Sequence, residues 1–112
     1  MTFQVVQAPV GYHHSLYLLN YGALYGAGDN EYGQLGIGST SSPVTSAIQI
    51  MASGVSLVGA GHYHSFFVDS SGLYGMGLNS NYQLCLGNTN DQSSPTQLTN
   101  PSGIPMQSPF HK

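Results

Sequence analysis

The stretch LYGAGDNEYGQLGIGST, which runs from Leu24 to Thr40, occurs a second time in this chain as LYGMGLNSNYQLCLGNT, from Leu73 to Thr89. The two copies keep Leu-Tyr-Gly, Asn, Gln-Leu, Gly and Thr in the same order, at an offset of about fifty residues. A fixed internal period of this size is typical of repeat architectures. The chain is therefore predicted to contain two copies of one structural unit.

The repeat extends on both sides of this stretch. Gly11-Tyr12-His13-His14-Ser15 recurs as Gly61-His62-Tyr63-His64-Ser65. Farther along, Ser42-Pro43 recurs as Ser94-Pro95. The positions that define the structural repeat motif are Gly11, His14, Ser15, Gly22, Tyr25, Gly28, Asn30, Gln34, Leu35 and Gly38 in the first unit, and Gly61, His64, Ser65, Gly72, Tyr74, Gly77, Asn79, Gln83, Leu84 and Gly87 in the second.

Each unit is predicted to form four short strands, because apolar residues alternate with polar ones and clusters of Gly, Asn, Ser and Pro interrupt the runs. Leu16 and Leu18 share one face, as do Phe66 and Val68 at the matching positions. No window has the periodicity of an amphipathic helix. The strands are predicted at about 3–7, 15–19, 23–27 and 46–50 in the first unit, and at about 55–59, 65–69, 73–77 and 96–99 in the second.

These motifs resemble the regulator-of-chromosome-condensation repeat. That family combines a Gly-x-x-His-Ser element and a Tyr-x-Trp-Gly strand with the string Asn-x-x-Gly-Gln-Leu-Gly-x-Gly-x-Thr, which residues 30–40 match closely. The resemblance implies an all-β fold of two four-stranded antiparallel blades of a β-propeller. The family's Trp position holds Ala27 and Met76 here. Two blades are also too few to close a ring, since propellers typically have about 4–8.

The domain organisation follows from the repeat. We expect a two-repeat domain over residues 1–99, with repeat one at about 3–50 and repeat two at about 55–99. Residues 100–112 form a tail with three prolines, which cannot continue a strand ladder. The tail is either free or docked on a neighbouring copy.

Four histidines, His13, His14, His62 and His64, are the candidates for a metal site, because two or three convergent imidazoles can bind zinc or copper. The resemblance favours a structural role instead. His14 and His64 occupy the family's His position, where the ring is expected to bond backbone within its own blade. No metal and no cofactor are therefore predicted.

Nucleophilic catalysis is not predicted. Ser15 and Ser65 each follow a histidine, but neighbours on a strand point to opposite faces, and no orienting acid is evident. Cys85 is the only cysteine and is interpreted as a small apolar filler. We therefore expect no enzyme activity.

The composition excludes two classes of partner. Charged residues make up 4% of the chain and the formal net charge is −3, whereas ordinary soluble domains contain roughly 25% charged residues. Nucleic acids and anionic membranes both require clustered Lys and Arg, and Lys112 is the only base. No secretion signal is visible, although so low a charge favours an extracellular or particle-surface location.

The predicted function is that of a non-catalytic structural or interaction module. Two blades leave one apolar face uncovered at each end, and repeat architectures need neighbours to bury such faces. Copies of the chain are therefore predicted to assemble blade to blade into a ring or a filament. Two alternatives remain open: a lectin-like module that binds a glycan or other ligand through its tyrosines, and a regulatory protein-binding domain.

Overall fold

Two four-stranded antiparallel sheets make up the protein, seen in a computed structural model that describes residues 4–81, 84, 86 and 88–98. Each sheet is a meander in which strands that follow one another in the chain are hydrogen-bonded neighbours. The first sheet consists of β1 (Val5–Gln7), β2 (His14–Leu19), β3 (Leu24–Gly28) and β4 (Val44–Met51), and the second of β5 (Leu57–Ala60), β6 (His64–Asp69), β7 (Gly72–Gly77) and β8 (Gln92–Gln97).

Tight turns and alternating apolar residues produce the central hairpin of each sheet. In the first sheet Leu18 pairs with Leu24 across the turn at Gly22, and in the second Asp69 pairs with Gly72. Strands β2 and β6 hold matching positions, as the offset of about fifty residues requires. The predicted all-β fold of two four-stranded blades is therefore confirmed.

The last strand of each sheet begins earlier than the sequence indicated. Strand β4 starts at Val44 and β8 at Gln92, because Gly28 and Gly77 continue the pairing beyond a register shift. Strand β8 includes Pro95, which is tolerated because β8 is the edge strand and its outer N–H groups need no partner strand. The other predicted bounds differ by one or two residues, a normal uncertainty at strand ends.

The core lies between the two sheets. Leu16, Leu18 and Leu24 project from the first sheet and are at most 2% exposed, and they belong to one cluster with Phe67 and Met76 of the second sheet. Strand pairing places Phe67 and Met76 on the same face of the second sheet. Leu35, from the loop after β3, completes this apolar layer.

Some predictions fall on residues that the structure does not describe. They concern the tail at 100–112, the start of the first strand at residue 3, the end of the last strand at residue 99, and Gln83, Cys85 and Gly87. Across the described ranges, no helix is long and apolar enough to span a membrane.

Candidate functional site

A chain of hydrogen bonds connects the two sheets at their core. The His14 Nε2 atom lies 3.0 Å from Ser65 Oγ, and Ser65 Oγ donates to the backbone carbonyl of Gln34 at 2.7 Å. The serine has one hydroxyl proton, which the second bond uses, so His14 Nε2–H is the donor in the first bond. The neutral His14 ring therefore has no proton on Nδ1, a buried atom without a hydrogen-bond partner.

The hydrogen-bond partner of His14 differs from the one that the sequence predicted. The ring was expected to bond backbone within its own blade, but it bonds a side chain of the other sheet. The reason is geometric: His14, Leu16 and Leu18 share the face of β2 that packs on the second sheet. The histidine of the repeat thus joins one blade to the next.

The contact between His14 and Ser65 lacks the features of a catalytic pair. Ser65 is fully buried, and its proton is donated to Gln34 rather than to the imidazole. No carboxylate orients the ring, because His14 Nδ1 has no partner. The pair connects the two sheets without providing an activated nucleophile.

Burial lowers the pKa of His14 below its usual value of 6.5, and the neighbouring His64 ring lowers it further. The backbone of His64 and the charge of Asp29 act in the opposite direction, with smaller effects. The pKa of His64 is also lowered, first by burial and then by His62. Burial therefore favours the neutral form of both histidines of the repeat motif.

The lowered pKa of His14 predicts an acid-sensitive fold. The unfolded chain binds a proton near pH 6.5 that the folded ring resists. We therefore expect the free energy of unfolding to be unaffected by this group above that pH and to decrease as the pH falls below it. His14→Gln, whose amide retains a donor for Ser65, should reduce this decrease.

Urea unfolding at about pH 7.5 and about pH 5.5 measures the effect. The control is His13→Gln, which removes an exposed imidazole one residue away. The two variants should differ in how much unfolding free energy they lose on acidification, and this difference gives the contribution of the buried His14 ring. An equal loss of stability on acidification in both variants would contradict the prediction.

Two buried asparagines hold the loops that follow β3 and β7. The Asn30 amide nitrogen donates to the carbonyls of Ser39 and Ser41, and its oxygen accepts the Leu35 N–H. Asn79 repeats the arrangement with Asn88, Asn90 and Leu84. The structure thus explains why the Asn and the Leu five residues later recur in both units.

The second sheet has an apolar face on the side away from the first sheet, which we call the open face. It carries Leu57, Phe66, Val68 and Leu73, which line a groove of about 200 Å³. These residues project away from the first sheet, since Phe67 and Met76 occupy the opposite side of the same strands. The open face corresponds in the repeat to the face of the first sheet that carries Leu16, Leu18 and Leu24 and is buried.

The side of the first sheet that faces away from the second sheet has a different composition, and we call it the outer face. It carries Ser15, Tyr17, Tyr25 and Ala27, which pair across β2 and β3. The Ser15 hydroxyl is 2.9 Å from the Tyr17 hydroxyl. These positions correspond to Ser65, Phe67, Tyr74 and Met76, which the second sheet presents to the first.

The candidate metal ligands do not form one cluster. His14 is buried against Ser65 and His64 lies on the open side of β6, with its ring centroid 5.0 Å from that of Phe66. His13 and His62 are exposed in the turns before β2 and β6. Among the residues with a described placement, no three His, Cys, Asp or Glu side chains are grouped as a metal site requires.

A cluster of aromatic rings was missed as a unit by sequence reasoning. Tyr12, His13, His62 and Tyr63 come together because the turns of the two units lie side by side, with the Tyr12 N–H donating to the His62 carbonyl at 2.9 Å. Tyr32 joins them through Tyr63. The signal in the sequence was the recurrence of aromatic and imidazole residues at equivalent positions of both units.

Comparison with known proteins gives matches to one repeat family. The family model described as "Regulator of chromosome condensation (RCC1) repeat" matches residues 21–68 and 70–108, and a second model with the same description matches residues 5–34. A human protein, "Probable E3 ubiquitin-protein ligase HERC4", is 39% identical over 72 residues, which are 61% of this chain and 7% of that protein.

Two solved structures show the same arrangement of strands. The crystal structure of Kap60 bound to yeast RCC1 (Prp20) superposes with a TM-score of 0.79 and 25% identity, covering 91% of this chain and 26% of that chain. The structure of Prp20p from Saccharomyces cerevisiae gives 0.74 and 26% identity, covering 90% of this chain and 27% of that chain. The chain thus spans about a quarter of each. Because the repeat models cover most of the sequence, this chain belongs to the regulator of chromosome condensation (RCC1) repeat family.

Proposed function

We propose that this chain is a non-catalytic protein-interaction module that assembles blade to blade with further copies of itself. The observation that carries the proposal is the open face, which is apolar and repeats the buried face of the first sheet. Apolar surface of this kind on one side of a sheet is typical of an interface. The yeast relative Prp20 also binds proteins. One of its structures is a complex with Kap60, and the other was reported together with its binding to Gsp1p and histones.

The outer face of a second copy is the surface that we expect to cover the open face. Within the chain, Phe67, Tyr74 and Met76 fill the space above Leu16, Leu18 and Leu24. In the next copy, Tyr17, Tyr25 and Ala27 take the equivalent places above Phe66, Val68 and Leu73. The contact is head to tail, so each copy uses a different surface on each side.

The proposed contact also allows a hydrogen bond like the one between His14 and Ser65. His64, the equivalent of His14, lies on the open side of β6. Ser15, the equivalent of Ser65, lies on the outer face, where its hydroxyl contacts that of Tyr17 in the same strand. In the assembly, the His64 Nε2–H donates to Ser15 of the next copy, as His14 does to Ser65.

The charge of the chain does not oppose such stacking. The net charge is −3 and the only base is Lys112, so repulsion between copies is small. Each copy contributes two blades, and three or four copies give six or eight blades, within the usual range of about 4–8. A rotation that does not close would give a filament.

Native mass at micromolar concentration tests the proposal. We expect the parent chain to be a multimer, and Phe66→Asp and Tyr17→Asp each to be a folded monomer, because each charge blocks one of the two surfaces. Mixing the two variants should then give a one-to-one dimer, since each retains the surface that the other has lost.

Circular dichroism is used to check that each variant is folded before its native mass is measured. The matched control is Val6→Asp, at a position 55% exposed in β1, which should leave the multimer intact. A folded monomer of the parent chain would overturn the proposal and favour a ligand-binding or regulatory domain. A mixture of the two variants that remains monomeric would overturn the head-to-tail geometry.

A further inference from the structure

The rings of Tyr12, His13, Tyr32, His62 and Tyr63 form one continuous surface, which we call the Tyr12 patch. Tyr12 is at its centre, with ring centroids 4.7 Å from His13, 5.3 Å from His62 and 5.7 Å from Tyr63. Tyr32 extends the patch at 5.4 Å from Tyr63. Tyr12 is 58% exposed, so this packing leaves most of its surface open to a partner.

Hydrogen bonds of the backbone fix the patch on the fold. The Gly11 N–H donates to the His14 carbonyl and the Gly61 N–H to the His64 carbonyl, which closes the two turns. The Tyr12 N–H bonds the carbonyl of His62, so the turns are joined to each other. Tyr32 is held separately, because its N–H donates to the buried Gln34 side chain at 3.0 Å. A rigid aromatic surface loses little conformational entropy on binding.

Two of the four acidic residues of the chain adjoin this patch. The Asp29 N–H donates to the His13 carbonyl at 2.9 Å, which places Asp29 beside the turn that carries Tyr12. Glu31 is exposed and immediately precedes Tyr32. The sole base, Lys112, is distant in sequence. Two acidic residues are therefore adjacent in the chain or in the backbone bonding to residues of the patch, and their negative charge complements a cation.

We propose that the Tyr12 patch binds an arginine-bearing segment of a partner protein. A guanidinium stacks on an aromatic ring and also forms paired hydrogen bonds to a carboxylate, so arginine fits this combination better than lysine does. The guanidinium lies on the open side of Tyr12, and Asp29 and Glu31 supply the opposing charge. None of the residues of the patch lines the groove of the open face.

Titration of the full chain with a tetra-arginine peptide tests the proposal, with the citrulline peptide of the same length as a neutral control. We expect the arginine peptide to bind and the citrulline peptide to bind at least about tenfold more weakly. Tyr12→Leu should weaken binding by about threefold to fivefold, the range for an exposed cation–π contact, whereas Tyr12→Phe should leave it nearly unchanged.

Asp29→Asn combined with Glu31→Gln should weaken binding further and reduce its dependence on salt. The control is Tyr21→Leu, an exposed tyrosine in the turn between β2 and β3, which should have no effect. Equal affinity for the two peptides, or unchanged binding by Tyr12→Leu, would overturn the proposal. Tighter binding of a neutral oligosaccharide than of the arginine peptide would overturn it in favour of a glycan site.

Discussion

Replacement of Asn30 by alanine is expected to destabilise the protein by about 2–4 kcal/mol. The side chain is fully buried and makes three hydrogen bonds, to Ser39, Ser41 and Leu35. Without it, the Leu35 N–H loses its acceptor inside the protein, and leaving such a group unpaired costs about 1–3 kcal/mol by itself. The loop that carries Leu35 into the core would also lose its attachment. Urea unfolding of the parent and the variant measures the difference.

The repeat supplies a second test of the same interpretation. Asn79→Ala removes an equivalent set of bonds, to Asn88, Asn90 and Leu84, and should have an effect of similar size. The control is Asn20→Ala, an exposed asparagine whose oxygen accepts a long bond of 3.4 Å from the Gln4 N–H. If Asn30→Ala were no more destabilising than Asn20→Ala, the buried amide would not be what holds this loop.

The sheets were predictable from the sequence because the signals that specify them are local. Alternation in β2 and β6, the turn glycines and the repeat offset each depend on residues close in the chain. The start of β8 was missed because local signals do not determine it. This strand can include Pro95 because it lies at the edge of the sheet, and the position of a strand in the sheet depends on the whole fold.

Contacts between the sheets were beyond sequence reasoning. Correspondence within the repeat does not say which residues touch: His14 contacts Ser65, the residue after its own equivalent, whereas Tyr12 contacts its own equivalent, His62. The offset identifies which residues correspond, but the stacking of one sheet on another decides which of them meet. The Tyr12 patch has the same origin, since Tyr12 and His62 become neighbours only when the two turns lie side by side.

The boundaries of the matched repeat show how the blades are joined. Residues 21–68 contain β3 and β4 of the first sheet, followed by β5 and most of β6 of the second. One sequence repeat thus supplies half of each of two blades. A chain of such repeats connects each blade to the next through covalent bonds as well as through packing.

The largest loss of stability is expected from Gly77→Ala, at the end of β7. Gly77 has a φ of 111°, which an L side chain rarely adopts, and such a conformation costs roughly 1–2 kcal/mol. A Cβ there would lie 2.5 Å from the Tyr63 carbonyl oxygen and 2.8 Å from the His64 Cα. Both are backbone atoms, so the turn before β6 would have to move. We expect a total cost of about 4 kcal/mol or more, among the largest effects of single substitutions.

Gly54→Ala separates the cost of the backbone conformation from the cost of the steric clash. Gly54 has a similar φ of 89°, but a Cβ there meets no atom within 4 Å. It should therefore show only the cost of the backbone conformation, about 1–2 kcal/mol, and the difference from Gly77→Ala measures the displacement of the turn. Because that turn carries His62 and Tyr63, Gly77→Ala should also weaken binding of the tetra-arginine peptide, while Gly54→Ala should not. Equal destabilisation by the two variants, measured by urea unfolding, would show that the turn before β6 yields easily and does not hold the Tyr12 patch in place.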